Sequence, residues 1–236
     1  MNLAAHIDAL DWPAIHHALH TRGYARVPGF LSDNGCASLR GLYGQDALYR
    51  KTVVMARHRF GLGEYRYFKD PLPPLVGALR QRLYPHLAPV ANDWARQLKL
   101  DKHYPPTLTE LAAQCRAAGQ SLPTPLILRY GEGGYNTLHQ DLYGEVYFPL
   151  QALFVLSQHG ADYDGGEFVL TEQVPRAQSR PTVLRPDRGD MLIFTTHFRP
   201  APGKLGHYRV HMKHGVAEVT RGERLALGVI FHDAAS

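Results

Sequence analysis

Between Leu126 and Phe231 the apolar residues come in short runs, cut apart by turns built on Gly and Pro. The runs are LILRY, VYFPLQALFVLS, EFVL, DMLIFTT, HYRVHMKHGVAEV and RLALGVIF. Gly133-Gly134, Asp164-Gly165-Gly166, Pro186-Asp187-Arg188-Gly189 and Arg221-Gly222 separate them. Short β-type runs between turn signals predict a sandwich or a barrel. No Gly-rich loop joins a strand to a helix, which argues against a nucleotide-binding α/β domain.

Before Leu126 the pattern is helical. Asp11 can cap a helix with Pro13 in its first turn, Ile15 and Leu19 on one face and Gly23 at its end. Residues 24–27 read as a short strand, and Ser32 as the cap of a second helix reaching about Tyr43, with Leu39 and Leu42 inward. The stretch PLPPLVGALRQRLYPHLAPVANDWARQL has helical apolar spacing, but Pro85 and Pro89 are expected to break or kink it. Residues 107–118 predict one more helix. The expected class is α+β, and 236 residues suit one domain with one core. Within it, residues 1–123 are the helical support and a possible substrate lid, and 124–236 are the strand-rich core.

Chemistry enters at His139-Gln140-Asp141. On a strand, residues two apart share a face, so an imidazole and a carboxylate can bind one metal. Alone the pair says little, because a chain with 14 histidines produces such pairs by chance. The second anchor is HGVAEVTRGER, with His214 and Arg224. A strand carrying His214 can turn back at Arg221-Gly222 into a neighbouring strand that begins near Arg224, so that both side chains line one cavity. Two His and one carboxylate form the facial triad of non-haem Fe(II) oxygenases, with three positions left open. Two of those suit the keto acid of 2-oxoglutarate and the third suits O2. The far carboxylate of the co-substrate then needs a cation, and a guanidinium fork binds carboxylate in bidentate fashion. His197, His207, His211 and His232 compete for the place of third ligand, His211 most directly. Only His214 has an arginine ten residues on, in the following strand.

In order and spacing these segments resemble the 2-oxoglutarate/Fe(II) dioxygenases. His139-x-Asp141, Gly165-Gly166-Glu167-Phe168, Arg188-Gly189-Asp190-Met191-Leu192-Ile193-Phe194 and His214 to Arg224 carry the likeness across residues 124–233. The resemblance implies a double-stranded β-helix (jelly-roll) core with N-terminal supporting helices. It gives His139, Asp141 and His214 as iron ligands, Arg224 as the 2-oxoglutarate anchor and Tyr130 as a hydrogen-bond donor to the same molecule. The phrases MARHRFGLGEYRYF, YPHLAPVAN, GGYNTLHQDLYGE, FPLQ, RVHMKHGV and LGVIFHDA are similar to a narrower bacterial oxygenase group. That group is described as catalysing oxidative demethylation of damaged DNA, which implies an alkylated nucleobase in DNA or RNA as substrate. A protein side chain, as in a prolyl hydroxylase, or a small metabolite is the alternative substrate. A non-catalytic β-sandwich binding module is the alternative to an enzyme.

The substrate side of the argument rests on residues 50–69. This stretch holds six Lys or Arg against the single acid Glu64, with Phe60, Tyr65, Tyr67 and Phe68 interleaved. Cations that grip phosphate and rings that stack on bases suit a nucleic-acid partner. Arg57, Arg59, Tyr65, Arg66 and Tyr67 are the candidate substrate residues, on a hairpin allowed by Gly61 and Gly63. The competing reading is a strand pair packed on the barrel with its charges in solvent. A formal charge of +5 favours an anionic partner without requiring one. Cys36 and Cys115 are too few and too far apart for a disulfide framework, and no Cys-x-x-Cys pair supports a zinc ribbon. With no secretory leader and no apolar run long enough to span a bilayer, the expected location is the cytoplasm, without membrane contact.

Overall fold

The computed structural model describes residues 2–235. Five α-helices and fifteen strands are described: α1 (Leu3–Asp8), α2 (Trp12–Arg22), α3 (Asp33–Leu42), α4 (Pro74–Gln97) and α5 (Leu108–Ala117), with β1 (Tyr24–Val27), β2 (Tyr49–Val54), β3 (Gly61–Leu62), β4 (Glu64–Phe68), β5 (Leu126–Tyr130), β6 (Tyr135–His139), β7 (Leu150–Val155), β8 (Tyr163–Gly165), β9 (Phe168–Gln173), β10 (Arg180–Leu184), β11 (Met191–Thr195), β12 (Phe198–Gly203), β13 (Gly206–Val216), β14 (Val219–Gly222) and β15 (Arg224–Ile230). The large sheet runs β1-β11-β7-β15-β5-β4-β2. The small sheet runs β10-β9-β13-β6-β3, with β12 also paired to β13, and β14-β8 form a separate ribbon. Every strand ladder is antiparallel. This is the jelly-roll, or double-stranded β-helix, arrangement expected of an α+β chain.

Strand alternation divides the large sheet into two working faces. Leu225, Leu227 and Val229 of β15 join Leu150, Ala152 and Phe154 of β7 in the main core with the helices. Their alternates Arg224, Gly228, Ile230, Gln151 and Leu153 line the cavity between the sheets. The helices thus seal one face and leave the other free for chemistry. The main core draws on both halves of the chain, from Ile7 to Phe231.

The local signals act where the sequence places them. Asp11 accepts from the Ala14 amide at the start of α2, and Gly23 ends that helix at φ 75°, where a Cβ would be strained. Ser32 caps α3 on the Gly35 amide, and Thr107 with Glu110 completes a capping box on α5. The break expected at Pro85 and Pro89 does not occur, and α4 runs through both for 24 residues. The two prolines lie four apart on the exposed side, so the Gln81 and Pro85 carbonyls they release face water. Meanwhile the opposite face buries Val76, Leu79, Leu83, Leu87, Val90 and Trp94, which outweighs the lost bonds. The short α1 carries no pattern that distinguished it in the sequence.

The Gly189-Asp190 stretch is structural. Asp190 accepts from Arg26 Nε at 2.6 Å, from the Gly29 amide at 2.8 Å and from the Asp187 amide at 2.9 Å. It ties β1 to the turn before β11 and is 2% exposed. Asp190→Ala removes a buried carboxylate that three donors share, and is expected to lower stability by about 2 kcal/mol in urea unfolding. A loss under about 0.5 kcal/mol, the scale of an ordinary surface substitution, would remove this role.

Cys36 and Cys115 are buried free thiols. No helix among the described residues is long and apolar enough to cross a membrane.

Candidate metal and co-substrate site

His139 and His214 are Cα partners across β6 and β13, so cross-strand register alone puts their imidazoles side by side. Their ring centroids are 4.2 Å apart. Asp141 lies just past the end of β6, not on the strand as its spacing suggested, yet it remains beside both rings. Asp141 Oδ2 is 3.2 Å from His214 Nε2, and Oδ1 is 3.5 Å from His139 Nε2. One ligand atom from each of the three lies within 4.8 Å of the others, the one such group among the described residues.

The rivals lie elsewhere. His207 and His211 point outward from β13 while Val210, Met212 and His214 are buried, as the alternation of the strand requires. His197 packs on Tyr147 and Phe198, and His232 accepts the Phe148 amide through Nδ1 at 3.1 Å.

The protonation chemistry suits a cation. His139 Nδ1 donates to the Thr137 carbonyl at 2.7 Å, which fixes the tautomer and frees Nε2 as a lone pair aimed at the site. Burial, then the neighbouring His214 charge, holds the His139 pKa down and keeps the ring neutral. Burial alone would push the Asp141 carboxyl up. The charge and hydrogen bond of His214, the charge of His139 and the hydroxyl of Tyr143 outweigh it and hold the carboxyl well below the usual range. Two imidazole nitrogens and one carboxylate fit a divalent transition metal such as Fe(II).

Arg224 faces this group from the opposite sheet. The turn at Arg221-Gly222 does not return the chain to a strand beside β13, as the sequence suggested. Instead β14 pairs with β8 and carries the chain across to β15 in the large sheet. The two side chains therefore share a cavity across its width rather than along one ladder. Arg224 is 1% exposed and has no ion-pair partner among the described residues. Its Nε and one terminal nitrogen are buried without a hydrogen bond. Tyr130, its Cα partner on β5, places its ring 5.7 Å from the guanidinium carbon. The Tyr130 hydroxyl accepts from Asn136 Nδ2 at 3.3 Å, and burial pushes its pKa to about 12, so it is a neutral donor. The Gly165-Gly166 pair makes room for this arrangement: both have φ near +65°, and a Cβ on Gly166 would come within 3.0 Å of Arg224 Cδ. An unpaired buried cation at a cavity wall is costly unless an anion joins it, so the residues fit the far carboxylate of a keto diacid.

The candidate substrate residues divide by face. Tyr65 lines the cavity, and buried Tyr67 meets it edge-on at 5.3 Å. Arg66, on the alternate face of β4, turns away to Asp46 at 2.6 Å and lies over the Tyr43 ring. Arg57 and Arg59 stand exposed on the turn after β2. The expected hairpin exists as β2 with β4, packed as the edge of the large sheet, while β3 pairs with β6 in the small one.

Two polar neighbours of the metal group sit inside the phrases GGYNTLHQDLYGE and FPLQ, where nothing local distinguishes their role. Gln151 reaches from β7 to within 3.4 Å of His214 Nε2, and its Oε1 is buried without a partner. Tyr143 donates to Asp141 Oδ1 at 2.6 Å and turns the other oxygen toward His214. Tyr143→Phe is expected to weaken Mn(II) binding by about 10- to 100-fold in calorimetry, with folding intact. An unchanged affinity would show that Asp141 is oriented without it.

Comparison with known proteins gives the family and the fold. Residues 63–234 match the model of a family described as "Oxygenase, catalysing oxidative methylation of damaged DNA". An uncharacterised protein of Mycobacterium tuberculosis, found in strains H37Rv and CDC 1551, is 43% identical over 198 residues, which is 84% of this chain and 80% of that one. A Pseudomonas putida prolyl-4-hydroxylase superposes with a TM-score of 0.55 at 15% identity, covering 94% of this chain and 100% of its own. A Burkholderia pseudomallei oxidoreductase of the 2OG-Fe(II) oxygenase family gives 0.56 at 14% identity, covering 96% and 94%. These two likenesses are of fold. The family match spans most of the chain and contains the His, Asp, His and Arg of the cavity, and the chain belongs to that oxygenase family.

Proposed function

We propose that this protein is an Fe(II)- and 2-oxoglutarate-dependent dioxygenase that oxidises an alkyl group on a damaged nucleobase. The observation that carries the reading is one cavity with two opposed demands: a His-Asp-His group within ligand distance, and a buried guanidinium with unpaired donors. His139, Asp141 and His214 would hold the metal. When bound, ferrous iron supplies the activation of O2, coupled to conversion of 2-oxoglutarate to succinate and CO2. Arg224 binds the far carboxylate and Tyr130 donates to it, which fixes the co-substrate's orientation. Leu128, Leu153, Phe168 and Phe194 line the same cavity and exclude water from it.

An oxygenase inserts oxygen into a C–H bond, so its action on a methylated base removes the methyl group instead of adding one. An N-hydroxymethyl product separates into formaldehyde and the free amine. A base in a duplex must leave the stack to reach a cavity between two sheets. The acceptor and the cytoplasmic location are parts of this reading.

The test supplies Fe(II), 2-oxoglutarate and a single-stranded oligonucleotide with one ring-N-methylated adenine. Formaldehyde and succinate are expected in equal amounts. Succinate formed without formaldehyde, whichever methylated base is offered, would overturn the base reading. Stimulation by a proline-containing peptide would then move the acceptor to a protein side chain.

A further inference from the structure

Of the exposed large apolar side chains among the described residues, Phe60 alone also lines the cavity. It is 44% exposed, at the mouth, where an aromatic ring gains little from folding. Its plane is stacked on His58, with centroids 5.3 Å apart and planes 22° from parallel. The backbone holds it in place. The Phe60 amide donates to the Met55 carbonyl at 3.1 Å, and the Phe60 carbonyl accepts from the Thr137 amide at 2.8 Å and its hydroxyl at 2.9 Å. The Thr137 carbonyl in turn accepts from His139 Nδ1. The ring is thereby tied, through one residue, to a member of the metal group.

Charge on the same turn is of one sign. Arg57 and Arg59 flank His58, both are exposed, and neither has an ion-pair partner among the described residues. By contrast Arg66 and Arg129, nearby in the same sheet, are committed to Asp46, Glu64 and Glu223.

We propose that Phe60, backed by His58, is the platform on which the substrate base stacks at the cavity mouth, and that Arg57 and Arg59 hold the phosphates on either side. This rests on the nucleic-acid reading above and extends it to a binding surface. A planar ring with two free cations beside it fits a nucleotide chain, in which every unit joins a stacking face to an anion, whereas a peptide combines the two only through particular side chains. A base methylated on a ring nitrogen carries positive charge, and the π-face of Phe60 attracts it further.

The test measures fluorescence anisotropy of a labelled single-stranded oligonucleotide carrying one ring-N-methylated adenine, with the full-length protein. Phe60→Ala is expected to weaken binding by about 5- to 150-fold, the range of one base–aromatic stack. Phe60→Trp is expected to keep the affinity and to report the stack directly, by quenching of its indole when oligonucleotide is added. Trp12 and Trp94 are buried and give a constant background. Arg57→Ala with Arg59→Ala is expected to flatten the dependence of log K on log salt by about 1.4, two single-strand phosphate contacts. Wild-type protein that turns over 2-oxoglutarate but binds no oligonucleotide would defeat the nucleic-acid reading itself. Wild-type binding that Phe60→Ala leaves unchanged, with no quenching in Phe60→Trp, would defeat the platform and leave that reading standing.

Discussion

Arg224→Met is expected to weaken 2-oxoglutarate binding by at least an order of magnitude while making the ligand-free protein more stable. The two effects have one cause. Arg224 is buried against Tyr130 and Tyr163, with donors that no protein group satisfies. In the ligand-free state that cation is desolvated without compensation, and a methionine of similar length relieves it. Replacing buried charge by apolar volume is neutral or stabilising by about 1–4 kcal/mol, so the melting temperature is expected to rise. With 2-oxoglutarate present the sign reverses. Loss of one partner from a buried, hydrogen-bonded charge pair is worth about 2–5 kcal/mol, or between roughly 30- and 4,000-fold in the KM for 2-oxoglutarate. Ligand that binds only the native state raises the melting temperature, so 2-oxoglutarate added to the Mn(II)-loaded protein should stabilise the wild type further and add little to Arg224→Met. A variant that melts earlier yet keeps its KM would mean that Arg224 is a packing residue and no anchor.

Asp141→Ala is expected to eliminate Fe(II)-dependent turnover of 2-oxoglutarate. The carboxylate is the sole anion of the metal group, and it is 7% exposed between two imidazoles and the Tyr143 hydroxyl. Without it, two imidazoles face a divalent cation with no anion beside them. Breaking a buried charge pair by deleting one partner costs about 3–5 kcal/mol, which is about 10²- to 10⁴-fold in metal affinity. Mn(II) calorimetry reads the affinity and succinate release reads the turnover. Activity that survives Asp141→Ala in full would remove the metal from this position. Asp190→Ala offers the contrast, because Asp190 is also buried but is not part of the cavity lining, and its expected effect falls on stability.

Much of this was legible residue by residue. The caps at Asp11 and Ser32 and the terminator Gly23 act within one turn of their own helices, so they are readable without tertiary knowledge. Strand periodicity alone sets His207 and His211 on the face opposite His214, and the arginine ten residues after His214 selects it. The continuity of α4 was hidden because the prolines signal a break locally, whereas burial of the other face is decided by what packs there. Tyr143 and Gln151 had no spacing that assigns them a role, and Phe60 was legible only as one of several rings in a basic stretch. Each reaches the cavity through a loop or a strand pairing whose register is not written near it.

What the sequence determined by itself is the inventory: antiparallel strands, capped helices, and a His-x-Asp, His and Arg set with the donors for a metal and a diacid. Those follow from short-range rules, since alternation, capping and ligand chemistry depend on a few neighbouring residues. Only the tertiary structure decided that His214 stands opposite His139, that β14 carries the chain across to the other sheet, and that Arg224 ends there unpaired. Those facts depend on which strands meet and in what register, and pairing between segments far apart in the chain is set by the energy of the whole core.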